Sequence, residues 1–269
     1  MEKELQFLST SQIDEFNRNG ILRLRGAVPR RDAERMCDSV REVLAERQRN
    51  SPSTENVMGR VIGTHWLPKR LKFEQVGSES VRAATDDLLG IGGWQEPERW
   101  TPLLVTFPSA NEVWDVPRQW HFDYPSIRAT QGLFGLRVFT CLADLAPHGG
   151  GTLVVTGSHR LAQRVFERER RQKLRGRQVR MALARDLAWF SALCAREPTP
   201  DRSERFMNTT TRVDDVELRV EEMSGETGDV ILMHPLCLHA SSSNCRSTPR
   251  IVVAATIVRK HWKFIAPDD

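Results

Sequence analysis

A series of short apolar segments separated by proline and glycine constrains the fold of this chain more than any other feature. After Trp100 these segments are rich in Val, Leu, Ile, Phe and Thr, which is typical of β-strands. The predicted strands span residues 103–107, 119–124, 135–142, 152–156, 229–233, 236–240 and 250–258. Strands of this length bury their apolar faces by packing as two facing sheets, which favours a sandwich or jelly roll.

A long interruption separates the fourth predicted strand from the fifth. Within it, apolar residues recur at helical spacing, as in the stripe Leu183, Leu187, Phe190 and Cys194. Helices are also predicted before the first strand, including one that Ser9, Thr10 or Ser11 caps and that Asn19-Gly20 ends. We therefore expect a mainly β protein with surrounding helices: a double-stranded β-helix, or jelly roll, with a helical insertion at about 160–227. We expect residues 1–269 to form a single domain.

Composition excludes several classes of protein. The five cysteines are odd in number and scattered, with no Cys-x-x-Cys pair, which argues against a disulfide framework and a structural zinc site. The apolar run 251–258 is far shorter than the roughly 20 residues of a membrane-spanning helix. The N-terminus is charged and lacks the apolar core of a signal peptide. We expect a cytoplasmic protein with reduced thiols and no membrane partner.

Two side chains in the second predicted strand can bind a metal ion together. His121 and Asp123 are two residues apart, so on a strand they point to the same face. A second histidine would complete two imidazoles and one carboxylate, the facial arrangement of non-haem Fe(II) oxygenases. His234 and His239 are the candidates, and they lie on opposite faces if their strand is regular because five residues separate them.

Arg250 begins the last predicted strand after the turn-rich stretch 241–249. If the two flanking strands are neighbours, this turn returns Arg250 towards His239. A guanidinium group in a buried pocket can bind a carboxylate through two parallel hydrogen bonds. The pattern therefore predicts an anion-binding arginine beside the metal-binding residues.

Taken together, these residues resemble the phytanoyl-CoA dioxygenase-like family of Fe(II)/2-oxoglutarate-dependent dioxygenases. In that family the second histidine precedes the 2-oxoglutarate-binding arginine by eleven residues, as His239 precedes Arg250. The segment 151–160 is similar to the family's Gly-x-Leu…Pro-Gly-Ser-His-Arg motif, and 228–234 is similar to its Gly-Asp-hydrophobic-Phe-His strand. The opening segment 9–26 is similar to the family's first helix and strand, so the resemblance covers nearly the whole chain.

The resemblance implies a role for each candidate residue. The metal ligands and catalytic centre for Fe(II) would be His121, Asp123 and His239. Arg250 would bind the co-substrate 2-oxoglutarate, and O2 would take the remaining position on the metal. Ser241 matches a family serine that hydrogen-bonds the same carboxylate, although a turn serine explains it equally well. Thr106 and Thr152 either touch 2-oxoglutarate from neighbouring strands or only pack in the core.

The sequence departs from the family pattern at two positions near these motifs. Phe122 stands where Gln is common, and Thr156 stands where Pro is usual. Asp123 is a carboxylate, whereas related halogenases have a small residue at that position. The resemblance therefore implies hydroxylation, or another oxidation of an unactivated C–H bond, with release of succinate and CO2. The substrate expected is a small-molecule metabolite, and neither its identity nor the oligomeric state follows from the sequence.

The insertion begins with a strongly basic segment. Residues 160–185 contain nine arginines and one lysine against two glutamates, a charge of +8, so the remaining residues carry −4 of the total +4. The basic residues Arg164, Arg168, Arg171 and Arg175 follow a helical spacing. Three interpretations remain: a solvated helix, an entrance for an anionic substrate, or a nucleic-acid surface, which no accompanying motif supports. A catalytically silent metal-binding jelly roll that serves as a binding module is a further alternative.

Overall fold

The structure of the chain is a computed structural model. It describes residues 7–50, 61–62, 71–109, 112–123, 126–128, 132–169, 173–197 and 200–262. The helices are α1 (Thr10–Asn19), α2 (Arg30–Asn50), α3 (Glu79–Leu89), α4 (Ser158–Glu169), α5 (Gly176–Asp186) and α6 (Ala188–Leu193). A 3-10 turn at Glu74–Gly77 and a π-helical turn at Glu204–Asn208 accompany them.

Short strands make up the rest of the regular structure. Before the insertion these are β1 (Ile21–Leu24), β2 (Val61–Ile62), β3 (Trp94–Gln95), β4 (Leu103–Thr106), β5 (Ser126–Arg128), β6 (Gly135–Cys141) and β7 (Thr152–Val155). The later strands are β8 (Lys173–Arg175), β9 (Thr211–Val213), β10 (Val216–Leu218), β11 (Val220–Glu222), β12 (Val230–Met233), β13 (His239–Ser241) and β14 (Arg250–Arg259).

Two sheets form the body of the protein. The larger sheet has the order β1-β12-β6-β14-β4-β2, with β3 also paired to β14. The smaller sheet has the order β11-β7-β13. All of these pairings are antiparallel. Strands that are neighbours in each sheet are distant in the chain. This is the connectivity of a jelly roll, and it confirms the predicted fold class.

The alternation of side chains along the larger sheet separates two environments. On its outer face Leu136 and Val138 belong to a core shared with Phe16 of α1 and Val40 of α2. On its inner face Phe139 packs in a second core that also includes Val154 of β7. A core made of residues from both sheets shows that the sheets face each other, and burial of these apolar surfaces stabilises the sandwich.

The outer face of the smaller sheet is covered by the insertion. Leu153 and Val155 of β7 pack with Phe166 of α4, Leu183 of α5 and Phe190 of α6 in a third core. The architecture therefore has four layers: helices, larger sheet, smaller sheet, helices. None of the helices in the described ranges combines the length and the apolar character that crossing a membrane would require.

The structure corrects three local expectations. Of the predicted strand 236–240 only the last two residues lie in a strand, because β13 begins at His239, where pairing with β7 begins. The segment 119–124 forms no continuous strand among its described residues; His121 makes one isolated bridge, to His239, and Tyr124 lies outside the described residues. The predicted basic stripe does not lie on one helix, because α4 ends at Glu169 and Arg175 belongs to β8. Arg171 lies outside the described residues. Each correction reflects pairing between distant segments, which local periodicity does not encode.

Candidate active site

Two histidines from distant segments lie directly opposite each other on the edge of the smaller sheet. The backbone N–H of His121 donates to the carbonyl of His239 at 2.9 Å, and the N–H of His239 donates to the carbonyl of His121 at 3.1 Å. Their ring centroids are 4.4 Å apart. This reciprocal pair places both imidazoles on the same face, where β13 borders the interior of the jelly roll.

Asp123 completes a group of three potential metal ligands. Its Oδ1 lies 3.0 Å from Nε2 of His239 and 3.8 Å from Nε2 of His121. The ligand atoms of all three residues lie within 4.8 Å of one another. Donor atoms about 2 Å from a shared ion are separated by roughly 3 to 4 Å, so the spacing fits a single metal ion.

The tautomer of His239 supports the same interpretation. Its Nδ1 lies 3.0 Å from the carbonyl oxygen of Cys237, so in the neutral imidazole Nδ1 carries the proton and donates it there. The lone pair of Nε2 then faces the Asp123 carboxylate oxygen. Two lone pairs at this distance repel each other unless a cation, either a proton or a metal ion, lies between them. A backbone-oriented imidazole is also typical of metal-binding histidines.

Arg137, a residue that the sequence analysis missed, holds the other side of the carboxylate. Its Nε lies 2.6 Å from Oδ2 of Asp123, in an ion pair whose N–H is not aligned for a hydrogen bond. A guanidinium nitrogen of Arg137 also donates to the hydroxyl of Thr256, its partner across β6 and β14. The signal was present in the sequence: an arginine at an inward-facing position of an otherwise apolar strand requires an acidic or polar partner.

The surroundings of Asp123 and His121 favour the protonation states in which these side chains can bind a metal ion. Burial alone would raise the pKa of Asp123, but a proton between Nε2 of His239 and Oδ1 supplies a hydrogen bond and a charge that, together with Arg137, hold this pKa well below its ordinary range. Partial desolvation lowers the pKa of His121 although much of its ring is exposed, and the nearby charges of His239 and Arg180 lower it further. A carboxylate that stays ionised and an imidazole that stays neutral are both ready to bind a metal ion at neutral pH.

Arg250 lies deeper in the same interior and is almost fully buried, with 4% of its surface exposed. Its Nη2 donates to the hydroxyl of Thr152 at 3.0 Å. Its Nε and Nη1, and the hydroxyl of Thr106 directly across β14 and β4, have no hydrogen-bond partner among the described residues. Buried polar groups are costly when unsatisfied, so this arrangement is suited to an anion with several acceptor oxygens.

The charge of Arg250 is likewise not neutralised by an ion pair with any described residue. Burial lowers the pKa of its guanidinium to about 10, which still leaves it cationic at neutral pH. The nearby carboxylate of Glu222 instead accepts hydrogen bonds from the backbone N–H groups of His148 and Gly151. A carboxylate ligand beside Arg250 would therefore gain charge-assisted hydrogen bonds in a buried environment.

Ser241 lies at the open side of the site. It pairs with Thr152 across β13 and β7, so the two side chains share a face. Ser241 is exposed and lines the same cavity as His121. Ser241, Thr152, Arg250 and Thr106 are thus successive neighbours, and Ser241 lies two residues after His239 on β13.

The other buried histidines lie outside this group. His234 accepts the backbone N–H of Leu236 at 3.0 Å through Nδ1, and Nε2 of His159 lies 3.0 Å from the carbonyl oxygen of Asn17. Their rings contact each other at 4.7 Å between centroids, behind α1. Both serve local packing in this structure, in agreement with the interpretation that His239 rather than His234 faces Asp123.

Two solved structures share this architecture. SnoK, a non-haem α-ketoglutarate-dependent carbocyclase from nogalamycin biosynthesis, matches with a TM-score of 0.54 and 13% identity, over 94% of this chain and 84% of that one. HygX from Streptomyces hygroscopicus, solved with iron bound, matches with a TM-score of 0.50 and 13% identity, over 96% of this chain and 90% of that one. At this identity the likeness shows the fold alone.

A comparison with families of related sequences is more specific. No curated protein matches the chain. The family described as phytanoyl-CoA dioxygenase (PhyH) matches residues 16–252, a span that contains every candidate residue of the site. The resemblance found in the sequence is thereby confirmed, and the chain belongs to the phytanoyl-CoA dioxygenase family.

Proposed function

We propose that this protein is an Fe(II)/2-oxoglutarate-dependent oxygenase that oxidises an unactivated C–H bond of a small-molecule metabolite and releases succinate and CO2. The observation that carries the proposal is the buried Arg250 guanidinium, whose Nε and Nη1 find no partner among the described residues. It lies in the same interior as the group of two imidazoles and one carboxylate. Fold alone does not choose a function, and these two features of the site support the proposal.

The three side chains that would hold the iron are His121, Asp123 and His239. Two imidazoles and one carboxylate leave open positions on one face of a six-coordinate metal, which suits Fe(II) oxygenases. The backbone pairing of the two histidines fixes their separation before the metal binds. Arg137 holds Asp123 so that Oδ1 points towards the imidazoles.

The groups that would hold 2-oxoglutarate surround Arg250. Its guanidinium would bind the carboxylate far from the metal, while the hydroxyls of Thr106 and Thr152 contribute hydrogen bonds from adjacent strands. Ser241 would approach the same co-substrate from β13. Because Arg250 is buried in the interior of the jelly roll, water competes little for its hydrogen bonds.

Iron, 2-oxoglutarate and O2 supply the oxidising chemistry when bound, and the chain orients them and keeps water out. Apolar side chains of the inner core, including Phe139, Val154 and Val252, exclude water around Arg250. The exposed ring of His121, with 51% of its side chain accessible, marks the side from which a substrate can approach. The C–H bond to be oxidised would lie on that side.

The outcome of the oxidation is proposed to be hydroxylation. Asp123 supplies a carboxylate ligand, so no position is left for the chloride that a halogenase requires. SnoK, which has this fold, is described as a carbocyclase, so hydroxylation is not the only reaction described for a protein of this fold. Products should therefore be examined both for a gained oxygen atom and for the loss of two hydrogen atoms.

The alternative of a nucleic-acid surface gains no support from the charges of the insertion. Arg160 and Arg164 pair with Asp215, and Arg168 and Arg185 pair with Asp186. Arginines already paired with carboxylates have less charge available to bind phosphates. A catalytically silent metal-binding module would need the three potential metal ligands, but it would not need a buried Arg250 with unsatisfied donors beside them. We further propose that one cytoplasmic domain carries this activity.

The test is 2-oxoglutarate turnover, followed as succinate formation in the presence of Fe(II), O2 and a pool of candidate metabolites. The wild-type chain is expected to form succinate above background and to do so faster with its substrate. Asp123→Ala is expected to abolish the reaction, whereas His261→Ala, which removes an exposed imidazole outside the site, is expected to retain it. Equal succinate formation by Asp123→Ala and the wild type would contradict the proposal.

A further inference from the structure

A cavity of about 880 Å³ opens beside His121 and Ser241, on the side of the site that faces solvent. Three arginines line it, Arg118, Arg180 and Arg196, and its described lining includes no acidic side chain. Binding cavities for small molecules usually combine a few placed polar groups with apolar walls. The polar groups of this cavity include three cationic side chains and, among its described lining, no anionic one.

Arg180, on α5, is fixed next to the potential metal ligands. Its Nη1 donates to the carbonyl oxygen of Trp120 at 2.6 Å, and Trp120 directly precedes His121. The remaining donors of this guanidinium form no hydrogen bond with another described residue. An arginine held by one nitrogen presents its other N–H groups in a fixed direction, which lowers the entropic cost of binding an anion.

The other two cavity arginines also have donors available. Arg196 is exposed and forms no ion pair with a described residue. Arg118 pairs with Asp115 at 3.2 Å, but Asp115 also lies 3.9 Å from the buried Arg202. The Nε of Arg118 is buried and has no hydrogen-bond partner among the described residues. The Asp115 carboxylate is therefore shared between the guanidinium groups of Arg118 and Arg202, so it does not fully neutralise the positive charge at the cavity.

The arginines on the outer surface of the insertion differ in this respect. Arg164 contacts both Asp214 and Asp215, and Arg160 contacts Asp215 as well. Four arginines of the basic segment, Arg160, Arg164, Arg168 and Arg185, are thus paired with carboxylates on the solvent side, whereas Arg180 lies at the cavity. Among the arginines of this segment, Arg180 therefore brings positive charge to the entrance of the site.

The cavity also has an apolar wall. Met181, the neighbour of Arg180 on α5, lines it with 55% of its surface exposed. Ala184 and Cys194 continue the same wall. Large exposed apolar side chains often mark a contact surface for a ligand.

We infer that the substrate carries an oxyanion group, a carboxylate, sulfate or phosphate, on an apolar skeleton, and that Arg180, Arg118 and Arg196 bind this group. The inference rests on the proposed function, because it assigns the cavity to the substrate of the same site. The anion would lie against Arg180, and the skeleton would extend along Met181 towards His121. Arg250 is reserved for the co-substrate, since it lies in the buried interior and not in this cavity.

The experiment uses a pair of fluorescent probes that differ in one charged group. 8-Anilinonaphthalene-1-sulfonate has a sulfonate on an aromatic skeleton, and N-phenyl-1-naphthylamine is its neutral counterpart. Both are titrated into the chain loaded with Fe(II) and 2-oxoglutarate under anaerobic conditions. The sulfonate is expected to bind more tightly than the neutral amine. Arg180→Met and Arg196→Met are each expected to weaken sulfonate binding about tenfold, as expected for loss of one charge-assisted contact, and to leave the amine unchanged.

Arg164→Met is the matched control, because Arg164 lies on α4 outside the cavity and is paired with Asp215. It is expected to bind both probes like the wild type. Arg196→Met protects the test against misfolding, since Arg196 is exposed and unpaired with any described residue. Equal affinity for the two probes, or sulfonate binding unaffected by either cavity variant, would overturn the inference. The proposed function fails separately, if the wild-type chain does not bind Fe(II) and 2-oxoglutarate together.

Discussion

Arg137 and Asp123 form an ion pair of 2.6 Å between Nε and Oδ2, on the carboxylate oxygen that does not face His239. The two residues come from different parts of the chain, β6 and the segment that follows Trp120. The pair leaves Oδ1 as the oxygen directed at the imidazoles. Arg137 is therefore a positioning residue for a ligand of the proposed iron, and it acts through Asp123 rather than on the substrate.

Arg137→Met is expected to weaken Fe(II) binding by about 10- to 100-fold, the usual cost of removing a group that orients a metal ligand. Arg137→Lys is expected to recover part of the loss because it restores the charge. Metal affinity is measured by anaerobic Fe(II) titration. Arg35→Met, which removes an exposed arginine of α2 paired with Asp32, is the control. Unchanged iron affinity in Arg137→Met would show that the ion pair serves stability only.

Thr106→Val is expected to change stability and co-substrate binding in opposite directions. The Thr106 hydroxyl is buried and has no hydrogen-bond partner among the described residues, so its removal should raise the free energy of unfolding by about 1 kcal/mol. The same change should raise the 2-oxoglutarate dissociation constant about tenfold, because a hydrogen bond to the co-substrate is lost. Urea unfolding and 2-oxoglutarate titration give the two values.

Thr140→Val is a matched control for that change. Thr140 is also buried without a hydrogen-bond partner among the described residues, but it follows Phe139 on β6 and so faces away from the interior that holds Arg250. This variant is expected to be similarly stabilised and to bind 2-oxoglutarate like the wild type. Weakened binding in both variants, or in neither, would contradict the placement of Thr106 beside the co-substrate.

The buried His159 is expected to make the protein less stable in acid. Burial lowers its pKa to about 4, whereas an unfolded histidine titrates near pH 6.5. Between these values the unfolded chain binds more protons, so stability is fully present above about pH 6.5 and falls as the pH approaches 4. The loss between pH 7 and pH 5 is about 2 kcal/mol from this residue.

The measurement is urea unfolding at pH 7 and pH 5 for the wild type and His159→Gln. The amide of Gln can donate to the Asn17 carbonyl as the imidazole does, but it does not titrate. His234, whose burial also lowers its pKa, remains in both proteins. The variant should lose about 2 kcal/mol less than the wild type over this pH interval. An identical pH dependence would show that His159 is not buried as a neutral imidazole.

Gly20 is required where α1 turns into β1. Its φ of +77° is left-handed, and a Cβ atom there would lie 2.4 Å from Sγ of Cys237 and 2.5 Å from Nδ1 of His159. Gly20→Ala is therefore expected to cost about 3 kcal/mol, from backbone strain together with overpacking. Gly26→Ala has a similar strain, with φ of +56° but open space around the new methyl, and should cost about 1 kcal/mol. If thermal unfolding shows that Gly20→Ala and Gly26→Ala destabilise the protein equally, steric overlap with Cys237 and His159 does not explain the need for Gly20.

Local patterns in the sequence were sufficient for much of the fold. The strands β6 and β14, predicted from their Val, Leu, Ile, Phe and Thr, and the capping of α1 by Ser9 appear in the structure within one or two residues of their predicted bounds. The structure of the segment around His121 was harder to predict, because it depends on a single β-bridge to His239, which lies 118 residues later in the chain. Such a pairing is set by tertiary contacts rather than by propensity.

In the candidate site, too, some residues could be predicted from the sequence and others depend on tertiary contacts. His239 and Arg250 could be selected because their spacing matches that of the family that the sequence resembles, and Thr106 and Thr152 by their strand positions. The partner of Arg137 could not be predicted, because nothing in the sequence of β6 indicates which carboxylate contacts an arginine on its inward face. The basic segment was likewise ambiguous, since its acidic partners Asp214 and Asp215 lie some fifty residues away.

The most direct test of the central claim is an anaerobic titration of the wild-type chain with Fe(II) and then 2-oxoglutarate, followed by visible absorbance. A charge-transfer band requires the co-substrate to chelate iron on the same protein, so it reports the three metal ligands and Arg250 together. We expect the band in the wild type, its loss in His121→Ala, and in Arg250→Met a band that needs at least about tenfold more 2-oxoglutarate. A wild-type chain that shows no band, or variants that reproduce it unchanged, would contradict the account.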